Sequence, residues 1–141
     1  MTYTFDQLKE DVKKEAEALR VHATKEELGS LNLDQLFPES IYKCIYGLMT
    51  GNCSSVRAAM LINTCACRYV KDACLTEIQE QGFERIQKKV NGANVVNFVK
   101  ERTEGPYTRH YSAIEAYILL PEARNENLIA YLKGETETLE L

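Results

Sequence analysis

Residues 40–74 read SIYKCIYGLMTGNCSSVRAAMLINTCACRYVKDAC, a stretch that holds all five cysteines and the densest apolar run of the chain. Two helical segments fall on either side of a turn signal. Pro38 suits a helix start, where its missing N–H costs nothing, and a helix is predicted over 39–50. Gly51 is placed to end it in a left-handed conformation, and Ser54 or Ser55 to cap a second helix over 55–73. Ala58, Ala59, Met60, Leu61 and Ile62 leave that second helix little polar face, so it is expected to be central and most buried.

Outward from this pair the signals remain helical. Thr4 to Gln7 forms a capping box, with Phe5, Leu8, Val12, Ala16 and Leu19 making one apolar stripe to about Val21. Thr24 to Glu27 repeats the box, with Gly29 as a left-handed stop. Leu31, Leu33, Leu36 and Phe37 anchor a connecting segment too apolar for a flexible linker. Thr76 to Val90 has a helical pattern that Gly82 could break and Asn91-Gly92 would end. The β-branched run 95–99 suits strand or helix and is read as helix, because no second clear strand is there to pair with it. Residues 102–109 read as a loop. Ser112 to Glu115 is a third capping box, opening a helix to Leu120, and a last helix over 122–133 stops at Gly134. The expectation is an all-α fold: a single domain over 1–141, five to seven helices around the central pair, with a minor short strand near 94–100 or in the C-terminal tail as the one exception.

Size and charge fit that picture. A chain of 141 residues folds around one core without staples. The net charge of -4 divides unevenly: 5 basic against 9 acidic groups in 1–40, 10 against 6 in 41–110, and 2 against 6 in 111–141. A basic middle between acidic flanks is read first as flanks packing back on the middle, and second as attraction to an anionic partner. No apolar run approaches the ~18 residues that span a bilayer, and Met1 to Lys14 is too polar for a signal peptide. A cytoplasmic, reducing setting with free buried thiols is expected, in keeping with the odd number of cysteines.

Cys44-Ile45-Tyr46-Gly47, Thr50-Gly51-Asn52-Cys53, Ser55 and Arg57-Ala58 resemble a pattern in small proteins of bacteriophages and prophages of gut bacteria. That pattern often has glutamine after the first glycine and aspartate before the second cysteine, where this chain has Leu48 and Asn52. Ala23 to Glu27 and Tyr131 to Gly134 look similar too. The resemblance implies a phage-related setting and no catalytic residue.

The candidate chemistries are weak. Zinc could be held by Cys44, Cys53 and Cys65, but Cys65 and Cys67 lie two apart on a predicted helix and diverge by ~200°, so no metal or other cofactor is expected. A labile Cys44–Cys53 disulfide is the remaining thiol alternative. His22 and His110 stand in no motif with a cysteine, and no phosphate loop, H-E-x-x-H or G-x-S-x-G occurs, so the reading is non-catalytic. Residues 41–70 outline a helix-turn-helix in which Ser54, Ser55 and Arg57 would meet base edges, helped by scattered basic residues that include Lys88 and Lys89. The favoured function is a protein-interaction or self-association module, with an amphipathic first helix and an acidic tail over 135–141 as docking features; nucleic-acid binding is the alternative. Arg57, Ser55, Lys88 and Lys89 are the candidate binding residues. For Arg57, an ion pair or cap contact within the protein is the commoner role. Tyr46 and Tyr111 are expected to hydrogen-bond at buried edges.

Overall fold

The structure, a computed structural model, describes residues 2–32, 35–36, 42–65, 70–83, 89–90, 93–94, 110–120 and 125–141, with the backbone alone at 72, 89, 90, 93, 94 and 110. Among these residues the fold is mainly helical: α1 Phe5–His22, α2 Lys25–Gly29, α3 Ile45–Thr50, α4 Val56–Thr64, α5 Asp72–Glu80, α6 Ala113–Ile118 and α7 Asn125–Leu132. Two minimal antiparallel pairings join them. β1 (Val70–Lys71) pairs with β4 (His110–Tyr111), and β2 (Lys89–Val90) with β3 (Ala93–Asn94).

Local chemistry sets most helix ends. Thr4 and Gln7, Thr24 and Glu27, and Ser112 and Glu115 each form the expected capping box, in which a hydroxyl and an N3 side chain satisfy orphan N–H groups reciprocally. Ser55 caps α4 through a bond from the Ala58 N–H (3.1 Å). Gly51 ends α3 at φ 91°, and Gly134 follows α7 at φ 79°. Gly29, in contrast, lies within α2, and Ser30 is the cap in a right-handed conformation.

The centre of the molecule is α1 against α6. Leu8, Val12, Ala16 and Leu19 of α1 are fully buried, and of α6 all but Ile118 are buried. Each such large aliphatic side chain contributes roughly 1.5–3 kcal/mol of burial free energy. The apolar stripe of α1 is therefore consumed inside the domain. Leu31 and Leu36 also reach the core, whereas Leu33 and Phe37 lie outside the described residues.

Several boundaries differ from expectation. The first helix of the predicted central pair starts at Ile45, with Cys44 as its cap; its predicted start at 39 lies outside the described residues. The second stops at Thr64 rather than 73, and Val70–Lys71 is extended where helix was expected. Nor is α4 the most buried helix: only Ala58 and Leu61 are covered, while Val56 and Met60 face water. The helix predicted from Thr76 is present as α5, which begins earlier, at Asp72, and ends before Gly82, which takes φ 100°. The predicted helix to Val90 is overturned by the pairing of Lys89–Val90 with Ala93–Asn94, which supplies the strand partner the sequence did not reveal. Residues 95–100 and the loop 102–109 lie outside the described residues. The tail 135–141 is not a strand. It folds back on the domain through Arg20 and Glu137, a bond from the Glu140 N–H to Asn127 Oδ1 (2.6 Å), and packing of Leu139 and Leu141 on the core.

The two glycines make opposite predictions. A Cβ at either Gly51 or Gly29 meets open space, so conformation alone decides. Gly51→Ala should cost about 1 kcal/mol in urea unfolding, because alanine resists the left-handed region. Gly29→Ala should leave stability unchanged or raise it by up to ~1 kcal/mol.

Candidate functional site

The most unusual chemistry is a buried polar junction between α1, α3 and α6. Glu15 lies on α1 among Val12, Ala16 and Leu19 and is only 2% exposed. Its Oε1 accepts the Ile114 N–H of the first turn of α6 (2.7 Å), and its Oε2 accepts the Tyr46 hydroxyl of α3 (2.6 Å). Cys65 Sγ lies 3.4 Å from the same hydroxyl. A second buried acid, Glu115, receives the Ser112 N–H on Oε1 (3.1 Å) and the Ile45 N–H at the start of α3 on Oε2 (3.4 Å). Two carboxylates thus serve the starts of two helices, where unsatisfied N–H groups and the helix dipole favour negative charge.

Burial dominates the ionisation of Glu15. Desolvation lifts its carboxyl to about 7 from an ordinary value of 4.5, the negative charge of Glu115 adds to the rise, and the bonds from Tyr46 and Ile114 oppose it. Desolvation also raises the Tyr46 phenol and the Cys65 thiol, so both stay protonated. Glu15, Tyr46 and Cys65 are at most 7% exposed, so they act as a joint between helices rather than a surface that meets a ligand.

The candidate binding residues are placed elsewhere and apart. Arg57, on the first turn of α4, makes a two-pronged contact with Glu27 of α2: Nε to Oε2 at 2.8 Å and a terminal nitrogen to Oε1 at 2.7 Å. That same nitrogen donates to the His22 carbonyl (3.1 Å). The guanidinium pulls the Glu27 carboxyl down to about 2. Arg57 therefore ties α4 to the α1–α2 corner, the commoner of its two expected roles. The Ser55 hydroxyl is spent on the cap of α4 and on Thr50 Oγ1 (3.2 Å). Lys88 lies outside the described residues, and Lys89 stands in β2 with only its backbone described.

Cys44, Cys53, Cys65 and Cys74 are free thiols, and Cys67 lies outside the described residues. Cys44 Sγ accepts the Gly47 N–H (3.4 Å) as the cap of α3. Among the described residues no group of three or more His, Cys, Asp or Glu is arranged to hold a metal ion, which leaves Cys44, Cys53 and Cys65 without a common site. No family model, curated protein or solved structure matches the chain.

Sequence reasoning missed Glu15 and the second role of Glu115. A signal for Glu15 was present: an acid lying on the stripe of Val12, Ala16 and Leu19, with no basic residue three or four positions away.

The two shifted carboxylates give opposite pH dependences. For Glu15 the folded value lies above the unfolded one, so its contribution is complete below pH 4.5 and is lost as pH rises towards about 7. Urea unfolding should show a loss of up to ~3 kcal/mol across that window, and Glu15→Gln should flatten it. For Glu27 the folded value is depressed, so its contribution is complete above pH 4.5 and is lost as pH falls towards about 2. In Arg57→Ala, the Glu27 carboxyl followed by NMR titration should return towards its ordinary range.

Proposed function

We propose that the protein is a non-catalytic interaction module that binds a protein partner, or a second copy of itself, through the outer face of α4. The observation that carries this reading is the exposure of Val56 (79%) and Met60 (55%), one helical turn apart with exposed Ala59 beside them. Arg57 is the one charged residue of α4, and Glu27 and the His22 carbonyl engage it. An uncharged face that is apolar over its first two turns, with Asn63 and Thr64 exposed beyond them, gains from burial without stripping water from charges. The likeness to small phage proteins supports a phage-related setting for such a module.

The arrangement of α3, the Gly51 turn and α4 favours nucleic-acid binding as a second reading. A recognition helix needs polar side chains at its start for base edges, and the first two turns of α4 put Val56, Ala59 and Met60 outward instead, with Asn63 and Thr64 exposed only at its end. Protein binding is therefore preferred. No helix among the described residues is long and apolar enough to cross a membrane.

Sedimentation and affinity capture on wild type and Met60→Glu test the proposal. Self-association or a retained partner should appear with wild type and weaken at least tenfold with Met60→Glu, while helix content stays unchanged. A monomer that captures nothing, yet binds labelled duplex at low salt and loses it in Arg57→Ala, would shift the assignment to the nucleic-acid reading.

A further inference from the structure

Residues 135–141 form no helix or strand, and side chains of α1 and α7 hold them. Arg20 of α1 supplies the charge. One terminal nitrogen of its guanidinium donates to both carboxylate oxygens of Glu137 (3.1 and 3.2 Å), and the other to the Thr136 carbonyl (3.4 Å). The same group lies over the Tyr131 ring of α7, 4.5 Å from its centroid, which fixes where the fork points. Asn127, one turn earlier on α7, accepts the Glu140 N–H on Oδ1 (2.6 Å), and Leu139 and Leu141 pack half-buried against the core. A cation, an amide acceptor and an apolar floor thus receive an acid followed by alternate leucines.

All of these contacts are made beyond the short link 133–135. There the chain reverses in a left-handed cap of α7: the Gly134 N–H donates to the Tyr131 carbonyl (3.1 Å) and the Glu135 N–H to the Ala130 carbonyl (2.9 Å), with Gly134 at φ 79°. Glycine is free to leave that conformation. Opening the turn returns two backbone hydrogen bonds to water and leaves every contact of the tail available to be remade. We propose that the groove between α1 and α7 takes the 135–141 tail of a second copy of this chain, so that two copies join by exchanging tails. Each groove then receives the acid, the N–H and the leucines that it receives within one chain, and a two-fold pair makes every contact twice. Own-tail and exchanged occupancy differ by the Gly134 turn and by the act of association, so protein concentration sets their ratio. Burial of Leu139 and Leu141 drives the docking, while the exposed Arg20–Glu137 pair selects which tail fits. The groove shares no residue with the outward face of α4.

Charge reversal in the full chain tests the exchange, with Met60→Glu present throughout so that association through α4 does not contribute. Arg20→Glu and Glu137→Arg each set like charges together, whether the tail belongs to the same chain or to an identical copy. Mixed, the two variants match in both directions, because each tail meets an opposite charge only in the other variant's groove. Sedimentation should show each variant alone as a monomer and the equimolar mixture as a heterodimer, its dissociation constant roughly tenfold or more below that of either variant with itself. A chain carrying both reversals should associate as the Met60→Glu parent does. Isotope-filtered NMR on that parent, in a concentrated mixture of labelled and unlabelled copies, reads the exchange without charge reversal: methyl groups of Leu139 and Leu141 on one copy should contact α1 and α7 of the other. A mixture no tighter than its components, or tail leucines that contact only their own chain, would overturn the proposal.

Discussion

The hydrogen bonds that Glu15 accepts from Ile114 and Tyr46 hold three helices to one side chain. An acid without a cation in a dry site costs desolvation free energy, and here the compensation comes from backbone and hydroxyl donors. That chemistry defines direction: the Ile114 N–H reaches the carboxylate only when the start of α6 points at it, and the Tyr46 hydroxyl only when its face of α3 does. Apolar packing between α1 and α6 is indifferent to small slides or rotations, whereas the bond at Ile114 fixes both. Glu115 extends the constraint to α3 by receiving the Ile45 N–H, so the orientation of the α3–α4 pair follows from two carboxylates on other helices.

Much of the fold was legible because much of it is local. The three capping boxes, the Ser55 cap and the glycines at 51 and 134 act over four residues or fewer, and sequence carries such short-range chemistry directly. The break between α4 and α5 was illegible for the converse reason. The apolar pattern runs on through it, and Lys71, the cap of α5, makes no side-chain cap bond that would announce a new helix. The pairing of β2 with β3 was illegible as well, because Lys89, Ala93 and Asn94 carry no strand propensity that would announce it.

The candidate site divides along the same line. Arg57 stood out by its position at the start of α4, but Glu27, its partner thirty residues earlier, could not be paired with it from sequence. Fixing Arg57 in that contact changes what α4 offers to its surroundings. The charge is engaged by Glu27 and the His22 carbonyl, and the residues left outward are Val56, Ala59 and Met60, followed by Asn63 and Thr64 at the end of the helix. Burial of α4 was overestimated because apolar composition was taken for coverage, and a helix can be apolar on a face that nothing within the described residues covers.

The bond from Ile114 to Glu15 spans 99 positions of the chain. During synthesis at ~5–20 residues per second, α1 leaves the ribosome seconds before α6 exists to cover it. Throughout that interval its stripe of Leu8, Val12, Ala16 and Leu19 has no native cover from α6. The same long-range closure that gives the finished domain its centre makes the nascent chain a client for whatever binds amphipathic helices at the tunnel exit.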